Sequence, residues 1–581
     1  MRFSGFQSDR ANLITLALFW LAMIFIVNPI GDFPINDDWV YALSVRSLLG
    51  DGIYRIPSFA SANVGPQVYW GALFCLPFGF SFTALRISTL IFGFAGIVGV
   101  YYLFLQIWHR RRIALIAAAV LLVNPIYFAL ANTFMTDVPF LALAVVSMAL
   151  IVRGLGSGHR GVLVAGLVLC LVCVLVRQFA LVILGGFACA YLVKHEARRA
   201  TFAKALLPLI AGIALHLGFN RWLIDSGRKP FAPGIANIAP VSVIDLGYSS
   251  AHELFVAIHY LGWFLLPLAL ICLCSNSSPK KSGAVRWPAL VAAGAALGMA
   301  AVLIVEHRMM PLGDNTLAYF GIGPLMLRDT LLLGEHLPEA TSGLSAWWLG
   351  VTGLSVVGAA LVILGLARGS ARLYALRRSP DIRGAVWMPT FFAVTAVGYL
   401  AILLLIAERH SLFDRYLLFL AIIVALVLPL LGIDATRDSS SVRLIRIAGS
   451  IAGLALLASA TFSVVATHDH LAWQRTRWIA LRELVDAGHV SPHRIDGGYE
   501  FNGWTLYDAR YQVHDAKSWW WVDDDQYLLS AGPMPGYRVV RRLTVDRWWK
   551  GTAPDVFVLV RDESSTSQAI RSKQAPSAVA R

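Results

Sequence analysis

Two carboxylates stand side by side in Asn36-Asp37-Asp38-Trp39-Val40-Tyr41, just after the first long apolar run of the chain. Adjacent acids repel, and partial burial at a membrane surface raises the pKa of at least one, which suits a general base. The pair also reads as a solvated loop end or a helix N-cap. A third acid, Asp137, lies in Asn132-Thr133-Phe134-Met135-Thr136-Asp137-Val138-Pro139, where one apolar run ends and the next begins. Thr136 or Asp137 ahead of Pro139 also reads as a helix cap. Arg177 interrupts an apolar stretch, and an arginine near membrane depth needs an anionic partner. Its planar fork suits a phosphate or a carboxylate, so a substrate role and pairing with an outer-loop acid both fit. Arg415, in Phe413-Asp414-Arg415-Tyr416-Leu417, either reaches back to an anionic headgroup or forms an interfacial anchor with Tyr416.

No familiar motif competes with these groups. The 14 histidines show no H-E-x-x-H spacing. His468-Asp469-His470 is the nearest approach to a metal site and reads more readily as a loop feature. No cofactor is fixed, and a divalent metal stays an open option. Cys170/Cys173 and Cys272/Cys274 have spacings that suit metal or redox chemistry, but both pairs sit inside apolar runs and read as small buried hydrophobes. A phosphate-binding loop, a dinucleotide fingerprint and a nucleophile elbow are all missing.

The elements that must position these residues are membrane helices. The 581 residues are 57% hydrophobic and 14% charged, with a mean hydropathy of +0.66; a soluble domain carries about a quarter charged residues. Candidate spans fall at 11–30, 85–107, 113–129, 138–153, 161–175, 179–193, 203–223, 253–274, 287–306, 346–366, 388–407, 415–433 and 445–466, about thirteen in all. The stretch 161–193 is split because Arg177-Gln178 interrupts it. Arg2 and Arg10 ahead of the first run, with no small-x-small cleavage site after it, predict an uncleaved anchor. The net charge of +14 resides in short loops such as Arg110-Arg111-Arg112, alternating with poorly basic ones. That pattern places the basic loops in the cytoplasm and the acids outside, on a side expected to be the periplasm. It accounts for the charge without nucleic acid.

The expected fold is therefore an all-α polytopic membrane body over residues 1–466. A small extramembrane α/β domain follows at 467–563, with strand-like runs at Tyr537–Val545 and Val556–Val560. Residues 564–581 are polar and small and predict a disordered tail. The outer loops 31–84 and 307–345 are long, and long loops are usually functional.

In order and topology, most of residues 10–435 resembles the GT-C class of membrane glycosyltransferases, in the branch of aminoarabinose transferases, protein O-mannosyltransferases and rhizobial lipopolysaccharide-core galacturonosyltransferases. The resemblance rests on Asp37-Asp38 with Tyr41, on Gly65-Pro66-Gln67-Val68-Tyr69-Trp70, and on Ala84-Leu85-Arg86 opening a span. It continues through Asn124-Pro125 leading to Thr136-Asp137-Val138-Pro139, and through Asp414-Arg415-Tyr416-Leu417-Leu418. It implies a sugar donor on a polyprenyl phosphate, a lipid or glycan acceptor, Asp37 as base, Asp38 beside it and Asp137 in the same pocket. Tyr41, Tyr69, Arg177, Arg415 and Tyr416 are the implied substrate-binding residues. Some members carry a lysine just before the proline of the Pro-x-x-Tyr segment, against the donor phosphate. Gly65 stands there in this chain, so Arg177 and Arg415 are the candidates for that task. The rival readings are a transporter or flippase, which needs ionisable groups deep in several spans, and a non-catalytic scaffold presenting the aromatic stretch 504–549. The acids gather at the outer surface, which favours the enzyme.

Overall fold

The computed structural model describes residues 4–562 except 61, 196–197, 230–242, 275–285, 314, 377–381, 408–411, 428–438, 512–519 and 523. The tail 564–581 lies outside the described residues.

Among the described residues nine helices are long and apolar enough to cross a bilayer. They are Asp9–Val27, Phe82–Trp108, Asp137–Ser157, Arg199–Asp225, Gly247–Cys272, Trp287–Val305, Ser342–Ser370, Val386–Ile406 and Arg446–Ala487. A tenth crossing arises if Arg111–Leu122 and Pro125–Ala131, bent by 63°, count as one span. The bend falls at Asn124-Pro125. Proline cannot supply an N–H to the preceding turn, and the Asn124 side chain instead caps the new helix, accepting from the N–H groups of Ile126 and Tyr127 at 3.0 and 3.1 Å.

Helices also lie at the three other expected positions, but they are shorter: Arg160–Val176, Leu181–Lys194 and, in its described part, Leu417–Val427. The first two have 17 and 14 residues, roughly 25 and 21 Å against a hydrocarbon core of about 30 Å. Both meet at Arg177, which caps the first of them. Among the described residues, full-length spans number nine or ten, which leaves the expected count of thirteen unconfirmed.

The helix Ser439–Arg482 has 44 residues, about 66 Å, twice the thickness of the hydrocarbon core. The junction expected at 466/467 falls inside it. The helix runs unbroken past residue 466 and carries Arg475 and Arg482 to the segment that follows the first span. Arg475 donates to the carbonyls of Asn28 and Ile30, and Arg482 to that of Asp32.

Two sheets complete the fold of the described residues. Strands β1 (Leu317–Ala318) and β2 (Gly321–Ile322) form an antiparallel hairpin in the loop 307–345. Strands β3 (Ile495–Asp496), β4 (Tyr527–Ser530), β5 (Tyr537–Leu543) and β6 (Val556–Arg561) form a mixed sheet in the order β3-β4-β6-β5. Only β3 and β4 are parallel. The strand-like runs read from the sequence are β5 and β6. The short helix Tyr499–Leu506 follows β3 and packs on the helix Asp38–Asp51. Gly503 allows this close approach, because a Cβ there would lie 2.4 Å from the Trp39 ring.

Candidate active site

The residues that carry the resemblance are mostly struts that fix where Asp37, Asp137, Arg177 and Arg415 meet. Arg86, buried at the start of its span, donates to the carbonyls of Pro29, Gly31 and Phe33. Asp32 accepts from the N–H of Phe82 at 2.7 Å. These bonds pin the loop that leads to Asp37. Asn36 takes a left-handed backbone (φ +54°) and turns the chain into the helix Asp38–Asp51.

Asp38 points into the protein. It is fully buried, and its carboxylate accepts from the N–H of Ile35 at 2.7 Å and of Phe134 at 3.4 Å. Burial pushes its carboxyl well above the usual range, against the opposing pull of Arg86. Its observed partners are backbone groups, so its place in the fold is to tie the loop after the first span to the turn ahead of Asp137. Gln67 ties the same turn from a third element, donating to the carbonyls of Phe134 and Met135 at 2.8 and 3.3 Å.

Asp37 and Asp137 converge on Arg415. The guanidinium lies 3.7 Å from Asp37 Oδ2 and 3.9 Å from Asp137 Oδ1. Asp137 is held more tightly by Arg177, at 3.0 Å, and Arg177 Nε also donates to Thr136 Oγ1 at 2.6 Å. The side chains of Asp137, Arg177 and Arg415 are 4–6% exposed, and that of Asp37 is 29% exposed. Of the four, Asp37 alone is reachable from outside to a useful degree. Arg415 Nε and Nη1 are buried and have no hydrogen-bond acceptor among the described residues, which is rare and costly for a charged donor.

Aromatic rings wall the cluster. Arg177 and Arg415 lie 5.3 and 5.6 Å from the Tyr416 ring, within cation–π range. The backbone carbonyl of Tyr416 accepts from Tyr399 Oη at 2.9 Å. Asp414 fixes the turn that carries Arg415 by accepting from the N–H groups of Thr316 and Leu317 at 3.1 and 2.7 Å. Tyr41 is buried close enough to feel all four charged groups; burial first, and then Asp37, pushes its phenol up to about 12. Tyr69 is placed elsewhere. It is 54% exposed and stacks on Tyr54, 5.8 Å between centroids, because the helix Gly65–Cys75 turns Gln67 and Val68 inward and Tyr69 outward.

The sequence reading missed Tyr499. Its hydroxyl donates to Asp37 Oδ1 at 2.7 Å. Its neighbour Glu500 accepts from the N–H of Asn36 at 3.2 Å and pairs with buried Arg477 at 2.9 Å. The only local signal was Gly497-Gly498, which marks a turn and nothing more.

Among the described residues, no group of three or more His, Cys, Asp or Glu side chains is placed to hold a metal ion. At His468-Asp469-His470, Asp469 instead accepts from the N–H groups of Trp548 and Trp549 and from Thr552 Oγ1.

Residues 64–222 match the family model of dolichyl-phosphate-mannose-protein mannosyltransferase. No curated protein matches the sequence at a significant level. Two similar solved structures are of ArnT from Cupriavidus metallidurans. In the apo state it is 15% identical over 73% of this chain and 77% of that one, with a TM-score of 0.34. Bound to undecaprenyl phosphate it is 14% identical over 74% and 77%, with a TM-score of 0.33. Over residues 64–222, which include Gln67, Arg86, Asp137 and Arg177, the chain thus carries the sequence pattern of the mannosyltransferase family, in a polytopic membrane protein that resembles the GT-C glycosyltransferases.

Proposed function

We propose that this chain is a membrane glycosyltransferase that moves a sugar from a polyprenyl-phosphate donor to an acceptor hydroxyl on the outer, periplasmic face of a bacterial inner membrane. The observation that carries the reading is Arg415, a buried guanidinium between Asp37 and Asp137 with two N–H donors unanswered among the described residues. A phosphate oxygen supplies the acceptor those donors need. The family matched over 64–222 acts, by its description, with dolichyl-phosphate mannose, a polyprenyl-phosphate sugar.

In the proposed reaction the acceptor oxygen attacks the anomeric carbon while Asp37 takes the hydroxyl proton. The bond from the anomeric carbon to the phosphate oxygen breaks, and its electron pair leaves on the polyprenyl phosphate. Arg415 stabilises that developing charge in a water-poor site, with Arg177 holding Asp137 behind it. One displacement inverts the anomeric configuration. The energy comes from the sugar–phosphate bond, and the lipid donor explains a site built on membrane helices.

Asp37→Asn, assayed in membranes with a labelled polyprenyl-phosphate sugar, should lose about 10²-fold or more of transfer at normal expression. Transfer at the wild-type level would exclude Asp37 as the base, and uptake without transfer would favour a transporter.

A further inference from the structure

We infer that Tyr499, supplied by the C-terminal region, is the positioning residue for Asp37, so that this region forms part of the active site and is not an appendage. The inference rests on the reading of Asp37 as the base.

The geometry is specific. Tyr499 Oη donates to Asp37 Oδ1 at 2.7 Å, and the residue is buried. Its ring is packed by Trp39, Phe59 and Trp520, with centroids 5.6, 6.0 and 4.7 Å away. Its N–H donates to the Met326 carbonyl at 2.9 Å. Just before it, Gly498 adopts φ +88°, where a Cβ would lie 2.5 Å from the Met326 oxygen. Glu500 grips the preceding residue of the same loop through the Asn36 N–H, while Arg477 and Gln474 hold Glu500. Two consecutive residues of one helix thus fix the backbone at Asn36 and the carboxylate at Asp37.

This grip has a chemical consequence. Tyr499 occupies Oδ1 and leaves Oδ2, the oxygen facing Arg415, to receive the proton. Burial, followed by Asp37, pushes the Tyr499 phenol well above its usual range, so it stays a donor throughout the working pH range. The charged and titratable groups facing Asp37 are Arg415 directly, Tyr41 and Tyr499, with Asp137 and Arg177 beyond Arg415 and Glu500 beyond Tyr499. A donor to the ionised carboxylate favours the ionised form. Without it, the base works only at higher pH and from a looser position.

The test uses the full chain in native membranes, which supply the acceptor, with a labelled polyprenyl-phosphate sugar extracted from them. Tyr499→Phe should lower kcat about tenfold with donor KM within about twofold, and move the acid limb of kcat/KM upward. Placing 3-fluorotyrosine at position 499 keeps the shape and strengthens the donor, so it should move the limb down. Tyr507→Phe, a nearby phenol that binds Ser58, should leave the limb in place. An acid limb unmoved in both 499 variants, with Asp37→Asn inactive, overturns the inference. An active Asp37→Asn variant would overturn the base assignment itself, and with it the role of Tyr499.

Discussion

Replacing Arg415 with glutamine removes one cation from between two carboxylates, and the two should respond differently. At an effective dielectric of about 20, unit charges at the observed 3.7 and 3.9 Å attract by roughly 4 kcal/mol each before solvation is counted. Asp137 keeps Arg177 at 3.0 Å, whereas Asp37 has no second ion-pair partner among the described residues. The loss therefore falls mainly on Asp37, whose ion pair disappears while that of Asp137 with Arg177 persists. The donor phosphate loses the two N–H groups of Arg415 that have no hydrogen-bond acceptor among the described residues. Charged hydrogen bonds contribute about 1.5–3 kcal/mol, so affinity for undecaprenyl phosphate should fall about 10- to 100-fold. The rate should fall about 10²- to 10³-fold, as when a preorganised donor to a developing anion is lost. Arg415→Lys keeps the charge but not the planar fork and should recover only part of both. Purified protein in nanodiscs would be titrated with undecaprenyl phosphate, and transfer followed across pH in membranes, with thermal unfolding to check folding. If Arg415→Gln binds undecaprenyl phosphate as tightly as the wild type and transfers at an unchanged rate, the phosphate assignment is wrong.

Two further perturbations test the scaffold. Gly498→Ala combines a left-handed backbone with a Cβ 2.5 Å from a carbonyl oxygen; it should cost more than about 1 kcal/mol, visible as a lower melting temperature, and should lower transfer by displacing Tyr499. Burial raises the Asp414 carboxyl to about 6, so the native protein holds this proton at pH values where the unfolded chain has released it. Stability should therefore fall as pH rises from about 4 to about 6 and stay level above that, by roughly 3 kcal/mol at the outside. Asp414→Asn should remove that slope, and melts of both proteins in detergent at pH 4, 5, 6 and 7 would show it; parallel curves would refute the role of burial there.

The span positions were legible because hydropathy is a local property, and a run of apolar residues near Phe82 or Asp137 needs no partner to be recognised. The break at Arg177 was legible for the same reason, since a charge inside an apolar run must end or interrupt it. β5 and β6 were visible as alternating or apolar β-branched runs. The continuation of the helix Ser439–Arg482 past residue 466 was not, because hydropathy records where lipid stops and says nothing about where a helix stops. The unequal fates of Asp37 and Asp38 were also hidden. Adjacent residues at a helix start point about 100° apart, and only packing decides that Asp38 faces the backbone of Phe134 while Asp37 faces Arg415. Tyr69 shows the same effect on the helix Gly65–Cys75.

By itself, the sequence determined a membrane protein of many helices with acids and arginines gathered at turns between its apolar runs, since lipid permits little else for a chain so poor in charge. The tertiary structure alone decided that Asp37, Asp137, Arg177 and Arg415 share one cluster, and that Tyr499, 462 residues from Asp37 in the chain, closes it. Contacts at that separation are set by how helices and loops pack around Arg86, Asp38, Gln67 and Asp414, and no local pattern of residues encodes the outcome.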